Sequence, residues 1–245
     1  MEKVIEIQGL KKSFGDTEIL KDITFSVCED ENVVVLGKSG EGKSVTIKCV
    51  VGLLQQDEGS VKIYGEEVKD MNSEQLKEMR GKIGFLFQSA ALYDSMTVRE
   101  NLAFPLTRVL NLKNDEEIEQ RIHEVLESVG LLDAIDKMPS DLSGGMRKRV
   151  GLARTLIVKP KIILYDEPTT GLDPITSREI SDLIMDIKKK YKTSSIIITH
   201  DMECARITST RIVVMHEGEC IAEGTYDELE ESKDNLIKSF FNHQQ

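Results

Sequence analysis

Nowhere in the 245 residues does an apolar run approach the roughly 18 consecutive residues of a membrane-spanning helix. Any work this chain does on a membrane therefore has to pass through a partner. The opening Met1-Glu2-Lys3-Val4-Ile5-Glu6-Ile7 is broken by charge, which argues against a signal peptide. Positive charge is in deficit: 32 lysines and arginines stand against 43 aspartates and glutamates, a formal net charge of −11. On average that disfavours nucleic acid or an anionic lipid surface as the main partner of the exposed face. Cysteine is scarce and scattered. Cys28, Cys49, Cys204 and Cys220 match no metal-ligand spacing, sit beside apolar residues, and read as small core residues in a reducing cytoplasm. Repeats and low-complexity linkers are missing too. With 40% hydrophobic and 31% charged residues the chain can bury a sizeable core, and one compact α/β unit with a helical lobe fits best.

The strongest positive signal is Gly37-Lys38-Ser39-Gly40-Glu41-Gly42-Lys43-Ser44, spaced G-x-x-x-x-G-K-S. It follows the apolar run 33–36 and precedes Val45 and a helix-compatible segment to residue 51, the strand-turn-helix context of a phosphate-binding loop. Glycines let backbone N–H groups close around phosphate oxygens, and the start of the following helix presents unpaired N–H groups to the same anion. Lys43 is placed to reach the terminal phosphates and the Ser44 hydroxyl to ligate Mg²⁺.

Along the chain, Val4, Ile5 and Ile7 begin a strand, residues 9–16 read as a turn, and Ile23, Phe25 and Val27 alternate as a half-buried strand should. Residues 59–65 resemble a hairpin strand, Ser73 caps a short helix through Arg80, and residues 83–88 form a buried strand. From residue 89 to about 155 the texture is helical, with Ile118, Ile122, Val125, Leu126 and Val129 on one face and Gly130 ending it. Ile162-Ile163-Leu164-Tyr165 is a central strand, and Thr176-x-x-Glu179 reads as a capping box opening the next helix. Residues 195–199 make a continuous apolar strand, residues 211–222 a closing hairpin, and Thr225-x-x-Glu228 caps the last helix.

Two more motifs bear on chemistry. Asp166 ends the strand 162–165, where an acidic group can support Mg²⁺, and Glu167 follows, placed to polarise a water attacking a γ-phosphate. Alone, the pair is also compatible with a solvated acidic turn. Ser143-Gly144-Gly145 opens another helix and makes a second anion-binding nest, unless it is simply an ordinary N-cap. A second phosphate grip makes sense if it closes on a nucleotide held by another copy.

These motifs, in order, resemble the nucleotide-binding subunit of ATP-binding cassette (ABC) transporters from about residue 4 to 230. They are residues 37–44, Gln88 after its strand, Leu142-Ser143-Gly144-Gly145-Met146, residues 162–167, Gly171-Leu172-Asp173-Pro174, and Ile198-Thr199-His200. The resemblance implies a P-loop NTPase fold in a single ABC domain. Residues 1–88 and 156–230 would form a mainly parallel RecA-like core with an antiparallel β subdomain. Residues 89–155 would form the helical subdomain, and 231–245 a tail. It also implies ATP and Mg²⁺, with Ser44, Gln88 and Asp166 on the metal side. Phe14 would stack on adenine, Gln88 would touch Mg²⁺ and the attacking water, His200 would contact the γ-phosphate, and Asp173 would help form a dimer seam. Each ATP would lie between the loop of one copy and Ser143–Gly145 of the other, in a homodimer docked on an integral membrane permease at the cytoplasmic face of the inner membrane.

A finer likeness is to the ATPases of MCE-type (Mla-like) phospholipid transport systems. It is carried by Ala90-Ala91-Leu92-Tyr93-Asp94-Ser95-Met96 and its continuation to residue 106, by residues 144–154 with Met146, by 166–176, and by Lys43-Ser44-Val45-Thr46. It implies an MCE-domain lipid-binding partner and no nucleic acid. The alternatives are an amino acid importer, an exporter of lipophilic compounds, or a soluble ABC ATPase, the last disfavoured by the single cassette and the acidic balance. Lys38 and Glu41 depart from the pattern, because such loops usually carry small residues or Pro and Ser there. Glu41 is expected to face solvent, offset by Lys38. Leu236, Ile237, Phe240 and Phe241 of the tail pack either on their own domain or on a second subunit.

Overall fold

The computed structural model describes residues 2–241, and the remaining tail residues lie outside that range. Ten strands form one sheet: β1 (Lys3–Phe14), β2 (Thr17–Cys28), β3 (Asn32–Leu36), β4 (Glu58–Ile63), β5 (Glu66–Glu67), β6 (Ile83–Leu86), β7 (Ile162–Asp166), β8 (Ser194–Thr199), β9 (Arg211–His216) and β10 (Glu219–Gly224). The spatial order is β5-β4-β1-β2-β10-β9-β3-β8-β7-β6. Strands β9, β3, β8, β7 and β6 are parallel neighbours, whereas β5, β4, β1 and β2 form an antiparallel arm. The arm joins the parallel part through a single parallel pairing, Glu219 opposite Asp22.

Strand β3 is buried throughout, and its alternate residues enter two different cores. Val34 and Leu36 pack toward the helical side, while Val33 and Val35 pack toward the antiparallel arm. A strand covered on both faces reads as an unbroken apolar run for this reason. The described residues also form nine α-helices, α1 (Lys43–Val50), α2 (Ser73–Gly81), α3 (Val98–Arg108), α4 (Asp115–Ser128), α5 (Gly144–Leu156), α6 (Pro174–Tyr191), α7 (Met202–Thr208), α8 (Tyr226–Glu230) and α9 (Asn235–Phe241), and three short 3-10 turns. Helices α3, α4 and α5 form the lobe inserted between β6 and β7, and Ile118, Ile122, Val125 and Leu126 are the buried face of α4.

Several local expectations need correction. Residues 9–14 are strand, because β1 continues through irregular pairing with β2 and β4 and turns only at Gly15-Asp16. Their polar composition hides this: Leu10 is buried, while Lys12 and the Ser13 N–H are held by Asp57 from outside the strand. Helix α2 is capped by Asn72, one residue before Ser73. Helix α6 starts at Pro174 under an Asp173 cap, so Thr176 and Glu179 lie inside it. Thr225 and Glu228 do form a capping box, but α9 follows the helix they open.

Candidate functional site

Strand β3 delivers Leu36 to the loop, and α1 begins at Lys43. Between them Gly40 and Gly42 take φ of 87° and 93°, values open to glycine at no steric cost. A Cβ on Gly42 would lie 2.5 Å from the Leu20 side chain, and one on Gly37 2.9 Å from the Met215 carbonyl. Gly42 is also the N-cap of α1 and brings no side chain to cap it. The first-turn N–H groups therefore remain available to an anion, with the helix dipole behind them. Lys43 is buried, and its Nζ donates to the Gly37 carbonyl at 2.7 Å and the Lys38 carbonyl at 2.8 Å.

The acidic end of β7 faces this cradle. The Ser44 hydroxyl donates to Asp166 Oδ1 at 2.8 Å. Burial pushes the Asp166 carboxyl above its ordinary pKa, against the Ser44 hydrogen bond. Burial likewise pushes the Lys43 ammonium down, opposed by Glu167, Glu41 and Asp166. Glu167 has a φ of 51°, a costly conformation for a side-chain-bearing residue, held by its N–H donating to the Ile198 carbonyl at 2.9 Å. Its carboxylate is engaged on three sides. Lys43 Nζ is 3.6 Å from Oε1, while His200 Nδ1 at 2.8 Å and the Thr170 hydroxyl at 3.0 Å reach Oε2.

A cleft of about 570 Å³ opens over these groups. It gathers Ser39, Gly40, Gly42, Lys43, Ser44 and Val45 with Glu167 and His200, and Phe14 and Gln88 also line it. Phe14 is 49% exposed, a flat apolar face offered to solvent. Ile19 and Thr170 line the cleft as well, and sequence reasoning passed over both. For Thr170 a signal was available, since it lies three residues after Glu167. For Ile19, on β2 far from the loop in sequence, there was none.

A third residue missed from the sequence is Lys148. It is 6% exposed, and its Nζ donates to the backbone carbonyls of Gln88 at 2.5 Å and Glu167 at 3.1 Å. Burial pushes its ammonium pKa down, opposed by Glu167 and Asp166. It therefore ties α5 to two loops of the cleft.

Ser143, Gly144, Gly145 and Asp173 do not line the cleft; they make a separate patch at the starts of α5 and α6. Ser143 caps α5 through the Met146 N–H at 3.2 Å, and Asp173 caps α6 through the N–H groups of Ile175 and Thr176. A Cβ on Gly145 would meet Thr176 at 2.5 Å, so the two helix starts are pressed together. Ile175, 74% exposed, sits in the same patch.

The expectation for Lys38 and Glu41 is overturned. Glu41 does not face solvent: its side chain is 11% exposed and turns away from the cleft onto the β9–β10 hairpin. Lys38 is not its partner, since Lys38 Nζ lies 5.9 Å over the Phe240 ring. Phe240 is buried in the main core and Phe241 meets Tyr226 edge-on, so the described part of the tail packs on its own domain.

Comparison with known proteins now bears on these motifs. Residues 20–170 match the family described as ABC transporter. This chain belongs to that family. It is 40% identical over 238 residues to the probable ribonucleotide transport ATP-binding protein mkl of Mycobacterium leprae, covering 97% of this chain and 68% of the relative. It is 39% identical over 223 residues to the methionine import ATP-binding protein MetN of Rhizobium etli, covering 91% of this chain and 61% of the relative. The chain thus spans about two thirds of the length of these relatives. Among solved structures, a dimeric ATP-binding cassette in a post-hydrolysis state with ADP and Pi superposes with a TM-score of 0.81 at 32% identity, covering 91% of this chain and 98% of that one. CbiO1 of Clostridium perfringens, part of the ABC transporter complex cbiONQ, gives a TM-score of 0.87 at 28% identity, with 99% and 96% covered. The fold is that of the ABC ATPases, and the chain binds and hydrolyses ATP. Among the described residues no helix is long and apolar enough to cross a membrane.

Proposed function

We propose that this ATPase is the motor subunit of a membrane transporter that moves phospholipid in concert with an MCE-domain partner. In this reading two copies pair head to tail on a permease at the cytoplasmic face of the membrane. The ATPase part is carried by one observation: the Glu167 carboxylate lies within hydrogen-bonding reach of His200 and Thr170 at the mouth of the glycine cradle that holds Lys43.

The N–H groups at the start of α1 and the Lys43 ammonium neutralise phosphate oxygens. Lys43 Nζ donates to the neutral Gly37 and Lys38 carbonyls, which fix where the ammonium stands in the cradle. Glu167 accepts a hydrogen bond from the water that attacks the γ-phosphate, and His200 orients that carboxylate. Phe14 stacks on adenine. Ser44, Asp166 and Gln88 would hold Mg²⁺, and the fit is chemical, because Asp166 is a desolvated carboxylate that a cation would stabilise. The ion supplies charge neutralisation of the phosphates when bound. Ser143, Gly144 and Gly145 of one copy close on the nucleotide of the other, and Asp173 lies at the seam; their position outside the copy's own cleft accords with that role. Glu167→Gln is expected to retain ATP and to dimerise while losing turnover by more than about 100-fold. Steady-state hydrolysis together with light scattering checks both parts, and normal turnover would remove Glu167 from its role.

The lipid assignment rests on the sequence of residues 90–106, 144–154, 166–176 and 43–46. A second reading, import of a polar solute, is favoured by the 39% identity to the methionine import protein. Affinity purification of the intact complex from membranes, with mass spectrometry of proteins and bound lipids, separates them. An MCE-domain protein with phospholipid supports the first reading, and a solute-binding protein supports the second.

A further inference from the structure

Glu41 sits between Gly40 and Gly42, the two residues of the phosphate loop with left-handed backbone and the greatest freedom to move. Its carboxylate is bonded to the turn of the β9–β10 hairpin: one oxygen accepts the Glu217 N–H, and the other lies 3.2 Å from His216 Nδ1. That turn is a rigid anchor. Glu217 and Gly218 have φ of 47° and 81°, the consecutive left-handed pair of a tight two-residue hairpin turn. The Gly218 carbonyl accepts N–H bonds from Lys21 at 2.8 Å and Asp22 at 3.3 Å, which pins the turn to β2. A Cβ on Gly218 would approach the Ile19 carbonyl to 2.5 Å, so turn and strand are in contact. Gly42 abuts Ile19 and Leu20 of the same strand. The loop is thus fixed at its most flexible point to the antiparallel arm.

The C-terminal helix backs this arrangement. Phe240 lies edge-on to the His216 ring, with centroids 6.2 Å apart, and its face carries Lys38 Nζ at 5.9 Å. One buried ring therefore touches both the partner of Glu41 and a residue of the loop itself.

We infer that Glu41 is a positioning residue for nucleotide binding, a latch onto the β9–β10 turn, backed by Phe240 of the C-terminal helix, that holds the phosphate loop in its binding shape before ATP arrives. The inference rests on residues 37–44 being the nucleotide loop. Its physical basis is preorganisation: a loop ordered beforehand does not pay the ordering entropy at the moment of binding. The latch acts on affinity, not on the chemical step, because Glu41 points away from the cleft that holds Glu167 and His200.

The test uses the full chain with ATP and Mg²⁺, and compares Glu41→Ala, Glu41→Gln, Phe240→Ala and Lys43→Ala by ATP titration, steady-state kinetics and hydrogen exchange of the apo protein. Glu41→Ala should raise Kd and KM for ATP about 10-fold, equivalent to about 1.4 kcal/mol, with kcat at saturating ATP within about twofold. Glu41→Gln can still accept the Glu217 N–H, so it should restore affinity to within about threefold. Phe240→Ala should give an intermediate rise in Kd. The Gly40 and Gly42 amides should exchange faster in Glu41→Ala while the core strands keep their protection, which separates loosening of the loop from general unfolding. Native ATP affinity in Glu41→Ala, or loss of kcat with KM unchanged, would overturn the latch. Lys43→Ala tests the underlying reading separately: if it binds ATP like the native chain, the loop is not the nucleotide site.

Discussion

Asp166 carries a conflict that bears on stability as well as on chemistry. Its carboxyl is desolvated at the end of β7 and accepts the Ser44 hydroxyl, and burial holds its pKa above the ordinary value. A group whose folded pKa is raised is less favourably charged in the folded state. The stability it permits is greatest at low pH and falls as pH rises from the unfolded value, near 3.9, through the folded one. The penalty is then fully present at neutral pH. Asp166→Asn keeps an acceptor for Ser44 and removes the charge. It should therefore raise the Tm of the nucleotide-free protein at pH 7, by an amount that shrinks toward pH 4, while abolishing ATP hydrolysis. Calorimetry across pH and a turnover assay check this, and a Tm gain independent of pH would refute the electrostatic account. In the proposed reading, stability is given up here for a site that a cation and a phosphate complete. Much of this residue-level chemistry was legible in the sequence, because Gly37–Ser44 and Asp166-Glu167 are short local motifs whose spacing encodes their geometry. Lys148 was not, since its role depends on hydrogen bonds made only after folding.

Among the elements, α5 has two stretches with different duties. Its N-terminal Ser143 and Gly144 are exposed, whereas one turn later Lys148 is buried against the loops that carry Gln88 and Glu167. The helix thus links the patch proposed to meet a second copy to the proposed catalytic residues of its own copy. Lys148→Met keeps the aliphatic stem but removes the lysine donor from the Gln88 carbonyl and one of two donors from the Glu167 carbonyl, which keeps the Thr170 N–H at 3.3 Å, a loss of about 1–3 kcal/mol in all. Turnover at saturating ATP should fall about 10-fold while ATP affinity stays within a few fold, as steady-state kinetics and equilibrium titration would show; unchanged turnover would argue against the link. Helix boundaries show the reach of local signals. Periodicity placed the buried face of α4, but the starts of α2 and α6 shifted by one to three residues, because Asn72 and Asp173 were the caps the backbone used. Residues 9–14 were misread for a related reason: a strand with polar residues is recognisable only by the neighbours that pair with it.

For the whole molecule, the separation of the Lys43 cradle from the proposed second phosphate grip dominates. The cradle of Lys43 and the Ser143–Gly145 patch lie on different parts of one chain, so a complete site needs two copies in the proposed arrangement. Ser143→Arg puts a bulky cation on an exposed helix start, away from the cleft. It should leave ATP binding to the single copy within a few fold and abolish ATP-induced dimerisation of the Glu167→Gln protein in light scattering. A dimer that still forms would move the seam elsewhere. The same scale explains why the acidic balance of the chain, −11 overall, is compatible with a site that binds a polyanion. Backbone N–H groups and a buried lysine supply the local field, and net charge averages over a surface the nucleotide does not touch.

By itself the sequence marks residues 37–44 as a phosphate-binding loop, because the backbone requirements of that motif are local and contiguous, and the ABC fold and ATP followed from the resemblance that the ordered motifs carry. Tertiary structure alone decided what Glu41 does. Read along the chain, it is a carboxylate placed awkwardly beside bound phosphate, expected to turn to water. Its partners, His216 and Glu217, lie 175 and 176 residues away and reach it only because β9 pairs beside β3 in the sheet. Spacing in sequence carries no information about such a contact; the pairing of strands creates it.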